Sequence, residues 1–179
     1  MSKTRKLCSV SMLVALTVVL SYLSGFLRIG NITKISVSFL PVYLAAASFG
    51  PLTGGFVAAA ADFISYAVNP TGPFLWQMTL LEFGYGMLAG LFFYYDFKNG
   101  RSRFGIIKLI ILVVIRFVSD ITLKTYVLIS SGLIVNSFIA GMSMRIPSAI
   151  VMAVIQIVIM MLINRFSKKL VNVIRGKNE

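Results

Sequence analysis

Residues 104–129 read FGIIKLIILVVIRFVSDITLKTYVLI, an apolar run broken well inside by Arg116, Asp120 and Lys124. At about 3.6 residues per helical turn, positions four apart share one face, so these three form a ladder of cation, anion and cation. The run exceeds the ~20 residues that cross a bilayer. Charge at membrane depth is costly and normally faces a bundle interior or a water-filled cavity. The ladder therefore predicts a membrane helix with a polar inner face, and its two cations favour an anionic ligand. The bland alternative is that Arg116 and Lys124 simply pair with Asp120.

The rest of the chain supports that class. Of 179 residues 58% are hydrophobic and 12% charged, with a mean hydropathy of +0.92. Turn and charge signals cut it into six apolar spans, 7–27, 37–50, 54–68, 76–95, 104–129 and 143–163, and predict an all-α six-transmembrane-helix bundle in one membrane domain. Gly50-Pro51 separates the second span from the third. Pro70 and Pro73 remove donors and end the third. Asn99-Gly100 marks a turn after the fourth. The first span has a basic start but no small-residue cleavage site before a polar domain, so it is read as a helix and not a leader.

The net charge of +12 is distributed as a topology signal. Cations gather at the amino terminus (Lys3, Arg5, Lys6), around residues 98–108 (Lys98, Arg101, Arg103, Lys108) and in the tail from Arg165. Arg28 and Lys34 alone border the opposite side. The positive-inside rule then puts both termini in the cytoplasm. A nucleic-acid binder would instead show a basic face on a soluble fold, so no nucleic-acid partner is expected. A single cysteine and no histidine exclude an internal disulfide, a cysteine-based zinc cluster and a histidine-based site. The five acids are scattered, which does not suit a metal-dependent membrane enzyme, and neither catalytic residues nor a cofactor or metal are expected.

On this topology Arg28, Lys34, Arg116, Asp120, Lys124 and Arg145 gather toward the outer half, several cations against one nearby acid. A carboxylate-bearing ligand fits that imbalance, because arginine engages carboxylates through paired hydrogen bonds; for Arg145, snorkelling to headgroups is the alternative. Tyr66, Asn69, Phe74, Trp76 and Gln77 surround the outer connection after the third span. Their rings suit a flat heterocycle whose edge Asn69 or Gln77 would bind, against the alternative of an interfacial aromatic belt. Asp62 and Glu82 are read as structural hydrogen-bonding groups. Ser11 with Ala15, Ser21 with Gly25, and Gly86 with Gly90 have small-xxx-small spacing, suited to close helix contact within the bundle or with a second membrane protein.

The runs Lys34-Ile35-Ser36-Val37-Ser38-Phe39-Leu40-Pro41, Phe49-Gly50-Pro51-Leu52-Thr53-Gly54-Gly55, Ala60-Ala61-Asp62 and Pro70-Thr71-Gly72-Pro73-Phe74 together resemble the folate-family substrate-binding (S) components of energy-coupling factor (ECF) vitamin transporters. The resemblance is densest from Lys34 to Gly90. It implies a six-helix protein that captures a vitamin, folate or a related anionic heterocycle, in an outward-facing pocket. It implies as partners a transmembrane coupling subunit and two cytoplasmic ATPases, with delivery by reorientation in the bilayer. Ser11 and Ala15 match the family's contact for the coupling subunit, usually two alanines. No G-x-x-x-x-G-K-[ST] loop occurs, which fits ATP chemistry carried by partners. Two departures fall at the expected pocket. Leu75-Trp76-Gln77-Met78-Thr79 replaces a usual Pro-Gly-Phe-Thr, and Asp120 and Lys124 stand where the family usually carries asparagines. The competing functional class is a small membrane scaffold of cell-wall assembly without a small-molecule ligand.

Overall fold

Gly50 and Pro51 organise the bundle. Gly50 has φ of 102°, a left-handed conformation that disfavours any side chain, and its N–H bonds to Ala46 O to close the helix before it. Pro51 then starts the next helix at its first position, where no N–H is needed. One residue thus reverses the chain between α2 (Phe39–Phe49) and α3 (Pro51–Val68). The other helices are α1 (Lys3–Ser24), α4 (Trp76–Lys98), α5 (Ile106–Ser130) and α6 (Phe138–Asn164). The structure, a computed structural model, describes residues 3–24, 28–29, 33–34, 37–70, 73–98, 105–132 and 138–164.

Six helices match the expected class, with local differences. α3 begins at Pro51, three residues before the expected 54, because proline is preorganised for a first helical turn. α6 begins at Phe138 and runs through Pro147, so Arg145 lies two turns inside it, not near its start. Pro147 lies inside the helix, where a proline costs a hydrogen bond that neighbouring polar groups in a bundle can replace. Two two-residue strands, β1 (Arg28–Ile29) and β2 (Thr33–Lys34), pair antiparallel between α1 and α2, with Arg28 opposite Lys34. They are additions that no sequence period announced. β2 packs against α6.

α2 is the centre. Phe39 and every residue from Pro41 to Ser48 are buried, and the helix packs against α1, α3 and α4. At 11 residues it is about 16 Å long at ~1.5 Å per residue, half a bilayer core. Its alanines allow neighbours to approach closely. A side-chain carbon on Gly54 would lie 2.5 Å from Ala46 Cβ, one on Gly86 2.7 Å from the Gly54 carbonyl carbon, and one on Gly90 would strike the Pro51 backbone. Gly86 and Gly90 are therefore consumed by the protein's own α3–α4 contact.

The outside is the apolar side. α5 exposes Ile107, Ile110, Ile111, Val114, Val118 and Tyr126 along one stripe, while Leu109, Leu112, Val113, Ile121 and Thr125 are buried on the other. α1 exposes Leu7, Met12, Leu16, Val19 and Leu23, and α3 and α6 carry similar surfaces. Such continuous apolar stripes are unfavourable in water and natural against lipid. By length and composition Lys3–Ser24 and Pro51–Val68 qualify as membrane crossings among the described residues. α5 is longer but carries the three ladder charges.

Lys6 Nζ lies 6.0 Å from the Phe49 ring centroid, which puts the start of α1 beside the end of α2. The Gly50 turn is therefore at the amino-terminal end of the bundle. The 69–75 connection, the start of α4 and the end of α5 lie at the other.

Candidate functional site

α5 presents Arg116, Asp120 and Lys124 on its inner face, as their spacing requires. α4 supplies two residues to meet them, Glu82 and Tyr85, one turn apart. Arg116 Nη2 donates to Glu82 Oε2 at 3.2 Å and Lys124 Nζ to Glu82 Oε1 at 2.9 Å. Within α5, Lys124 Nζ stands 2.8 Å from Asp120 Oδ1, and Arg116 Nε stands 3.8 Å from Asp120 Oδ2. The ladder is thus two cations against two carboxylates. An outer half with one nearby acid is corrected at this point: Glu82 on a second helix balances the local charge. Its partners lie 34 and 42 residues away, outside any local pattern.

Tyr85 lies beside this cluster. The Arg116 guanidinium carbon is 4.9 Å from its ring centroid and Lys124 Nζ 5.7 Å, within cation–π range. Its hydroxyl reaches Asp120 Oδ1 at 3.4 Å. Deeper in, the buried Tyr43 hydroxyl accepts from Gln156 Nε2 of α6, and the same side chain interacts electrostatically with Arg116. A polar path therefore runs from α6 through the central helix to the charges. Tyr43, Tyr85 and Gln156 were missed by sequence reasoning. An acid buried in a membrane span needs a cation opposite, and that signal could have joined Glu82 to the ladder.

The aromatic connection is assembled in part. Phe74 packs on Tyr66 with centroids 5.1 Å apart and edge-on to Phe63 at 5.7 Å. Trp76 is 61% exposed, and the Asn69 side chain is exposed while its backbone N–H closes α3 on Ser65 O. Gln77 turns inward, and its Oε1 is buried with no hydrogen-bond partner among the described residues; Thr125 Oγ1 on α5 shares that state. Buried polar atoms without partners are rare enough to need a reason. Arg28 and Lys34 are register partners in the strand pair; their side chains, that of Arg145, and residues 71–72 and Gly25 lie outside the described residues.

Asp62 has a local explanation. Thr79 Oγ1 donates to its Oδ2 at 2.7 Å, tying α3 to α4. Thr79→Val should cost about 1–3 kcal/mol, because a half-buried carboxylate loses its donor. Asp62→Asn should cost under about 1 kcal/mol, since the amide oxygen still accepts. Thermal unfolding of the two variants in detergent checks the contrast, and an equal loss in both would contradict it.

Residues 5–164 match the family model described as "ECF transporter, substrate-specific component". This chain belongs to that family. It is a substrate-specific component, a membrane protein of a transporter. Within it, a 63-residue stretch is 35% identical to the folate transporter FolT of Clostridium novyi (strain NT), covering 35% of this chain and 37% of that protein. The fold matches the crystal structure of FolT bound with folic acid, with a TM-score of 0.75 over 91% of this chain and 94% of that one, at 23% identity. No groups of three or more metal-ligating side chains occur among the described residues. On this S component's outer surface, Ser11 and Ala15 are both exposed on α1, and Ser11 Oγ is turned onto its own helix at Leu7 O, 3.0 Å away. The patch between them is therefore shallow and apolar, bordered by exposed Leu7, Met12 and Leu16.

Proposed function

We propose that this chain captures folate or a related anionic heterocyclic vitamin from outside the cell and releases it inward after reorienting with a coupling subunit and two ATPases. The observation that carries the reading is the inward-facing charge cluster of α4 and α5. It lies at the end of the bundle where Tyr66, Asn69, Phe74, Trp76 and Gln77 gather, in a chain with a folate-transporter relative. The unpartnered Gln77 Oε1 supports a ligand there, since a donor from the ligand would satisfy it. Arg28, Lys34 and Arg145 complete the proposed substrate contacts as cations for the vitamin's carboxylates. Both termini are assigned to the cytoplasm on the charge distribution, and all six helices to the membrane. A ligand-free scaffold would have no use for a largely buried charge cluster and an unsatisfied buried amide at one end of the bundle.

Mass spectrometry of the protein purified without added ligand should find a pterin-bearing vitamin, and titration with folic acid should saturate. Absence of any retained vitamin together with failed titrations would leave the scaffold reading standing. The proposed role of α1 has its own test. Ser11→Leu with Ala15→Leu should abolish ATP-driven uptake in cells while leaving folic acid binding by the purified chain unchanged, because the exposed patch is remote from the charge cluster. Loss of binding, or retained uptake, would reject that assignment.

A further inference from the structure

The four charges of the cluster are not equivalent. Glu82 has both oxygens engaged, each taking a hydrogen bond from a different cation. Asp120 is less fully engaged. Its Oδ1 meets Lys124 and Tyr85, whereas among the described residues its Oδ2 has only the Arg116 Nε at 3.8 Å, beyond hydrogen-bond reach. Asp120 is also the most open of the four, with 30% of its side chain exposed against 21–23% for the others. A carboxylate oxygen offers two acceptor positions, so Oδ2 of Asp120 is spare acceptor capacity on the most open member of the cluster.

Resting on the vitamin reading above, we propose that Asp120 Oδ2 accepts an N–H from the amino-bearing edge of the ligand's heterocycle. Glu82 is the fixed counter-ion that keeps Arg116 and Lys124 from competing for the ligand's carboxylates. The cluster therefore recognises the uncharged ring end of the vitamin, with its donors, and leaves the anionic tail to other cations. Tyr85, held against Arg116 and Lys124, walls the same position. This reverses the role that the cations alone would suggest. Two matched ion pairs hold little net attraction for an anion, and a ligand carboxylate placed against Asp120 would meet repulsion.

Titration of the purified protein in detergent with folic acid, and with an analogue carrying a methyl in place of the ring amino group, tests this. The unmodified protein should prefer folic acid by about 10–100-fold, the range expected for a hydrogen bond to a charged acceptor. In Asp120→Asn, Lys124 Nζ and the Tyr85 hydroxyl, both donors, hold the amide oxygen and turn its NH2 toward the ligand. Folic acid binding should fall by a similar factor and the preference over the methyl analogue should vanish. A variant that binds folic acid normally, or that weakens both ligands equally and keeps the preference, would overturn the assignment. Should the variant fail to fold, equal binding of the two ligands by the unmodified protein would overturn it as well. No binding of folic acid by the unmodified protein would remove the folate reading itself, and the assignment of Asp120 with it.

Discussion

Glu82→Ala is expected to cost about 3 kcal/mol or more and to abolish ligand binding. The variant leaves Arg116 and Lys124, both largely buried, with Asp120 as their one remaining carboxylate in the cluster. Removing one partner from a buried ion pair typically costs about 3–5 kcal/mol, because the stranded charge keeps its desolvation penalty and loses its attraction. An exposed pair would cost about 1 kcal/mol at most. Arg116 would also lose its 3.2 Å bond, freeing the guanidinium to shift from Tyr43 and Tyr85. The effect should be strongly non-additive. In Glu82→Ala with Lys124→Ala one cation and one anion leave together, so stability should return toward that of the unmodified protein. Unfolding followed by circular dichroism in detergent reads both variants. Melting of Glu82→Ala within a degree or two of the parent, or a double variant that simply adds the two losses, would show that the network carries little.

What the sequence could reveal follows from the range of each signal. The α5 ladder is legible because its members are one turn apart in a single run, and helix periodicity alone aligns them. Glu82 sits in the preceding helix, and nothing local connects it to residues 34 or 42 positions away. The same distance hides the Gln156–Tyr43 bond, which spans 113 residues, although a glutamine amid 27 mostly apolar residues hints that it has a partner. The strand pair is illegible for another reason. Two-residue strands are too short to show alternation, so the juxtaposition of Arg28 and Lys34 appears only in the register. Gly50-Pro51 worked because its signal is stereochemical: a left-handed residue followed by one that cannot donate ends one helix and begins another. For Gly86 and Gly90 the spacing announced a close contact, but two glycines cannot name their neighbour. The neighbour is α3 of the same chain.

That contact gives the second large effect, without touching a charge. Gly86 lies one turn beyond Glu82, and a side-chain carbon placed on it would strike the Gly54 carbonyl and come within 3.0 Å of Gly55 Cα. Both are backbone, so no rotamer change relieves the clash and α3 must move away from α4. Overpacking against yielding side chains costs about 1–3 kcal/mol, so Gly86→Val, against backbone, should cost at least about 3 kcal/mol. The displacement should also strain the Thr79–Asp62 bond between the same two helices and carry Glu82 from its cations, so folic acid binding should be lost together with stability. Gly84→Ala is the control two residues away. A carbon there meets nothing within 4 Å, and exchanging a mid-helix glycine for alanine removes backbone entropy worth about 1 kcal/mol. It should melt at or slightly above the parent temperature and bind normally. If Gly86→Val folds and binds as Gly84→Ala does, the helices of this bundle are not held at backbone contact. The position of Glu82 would then depend on its charges alone.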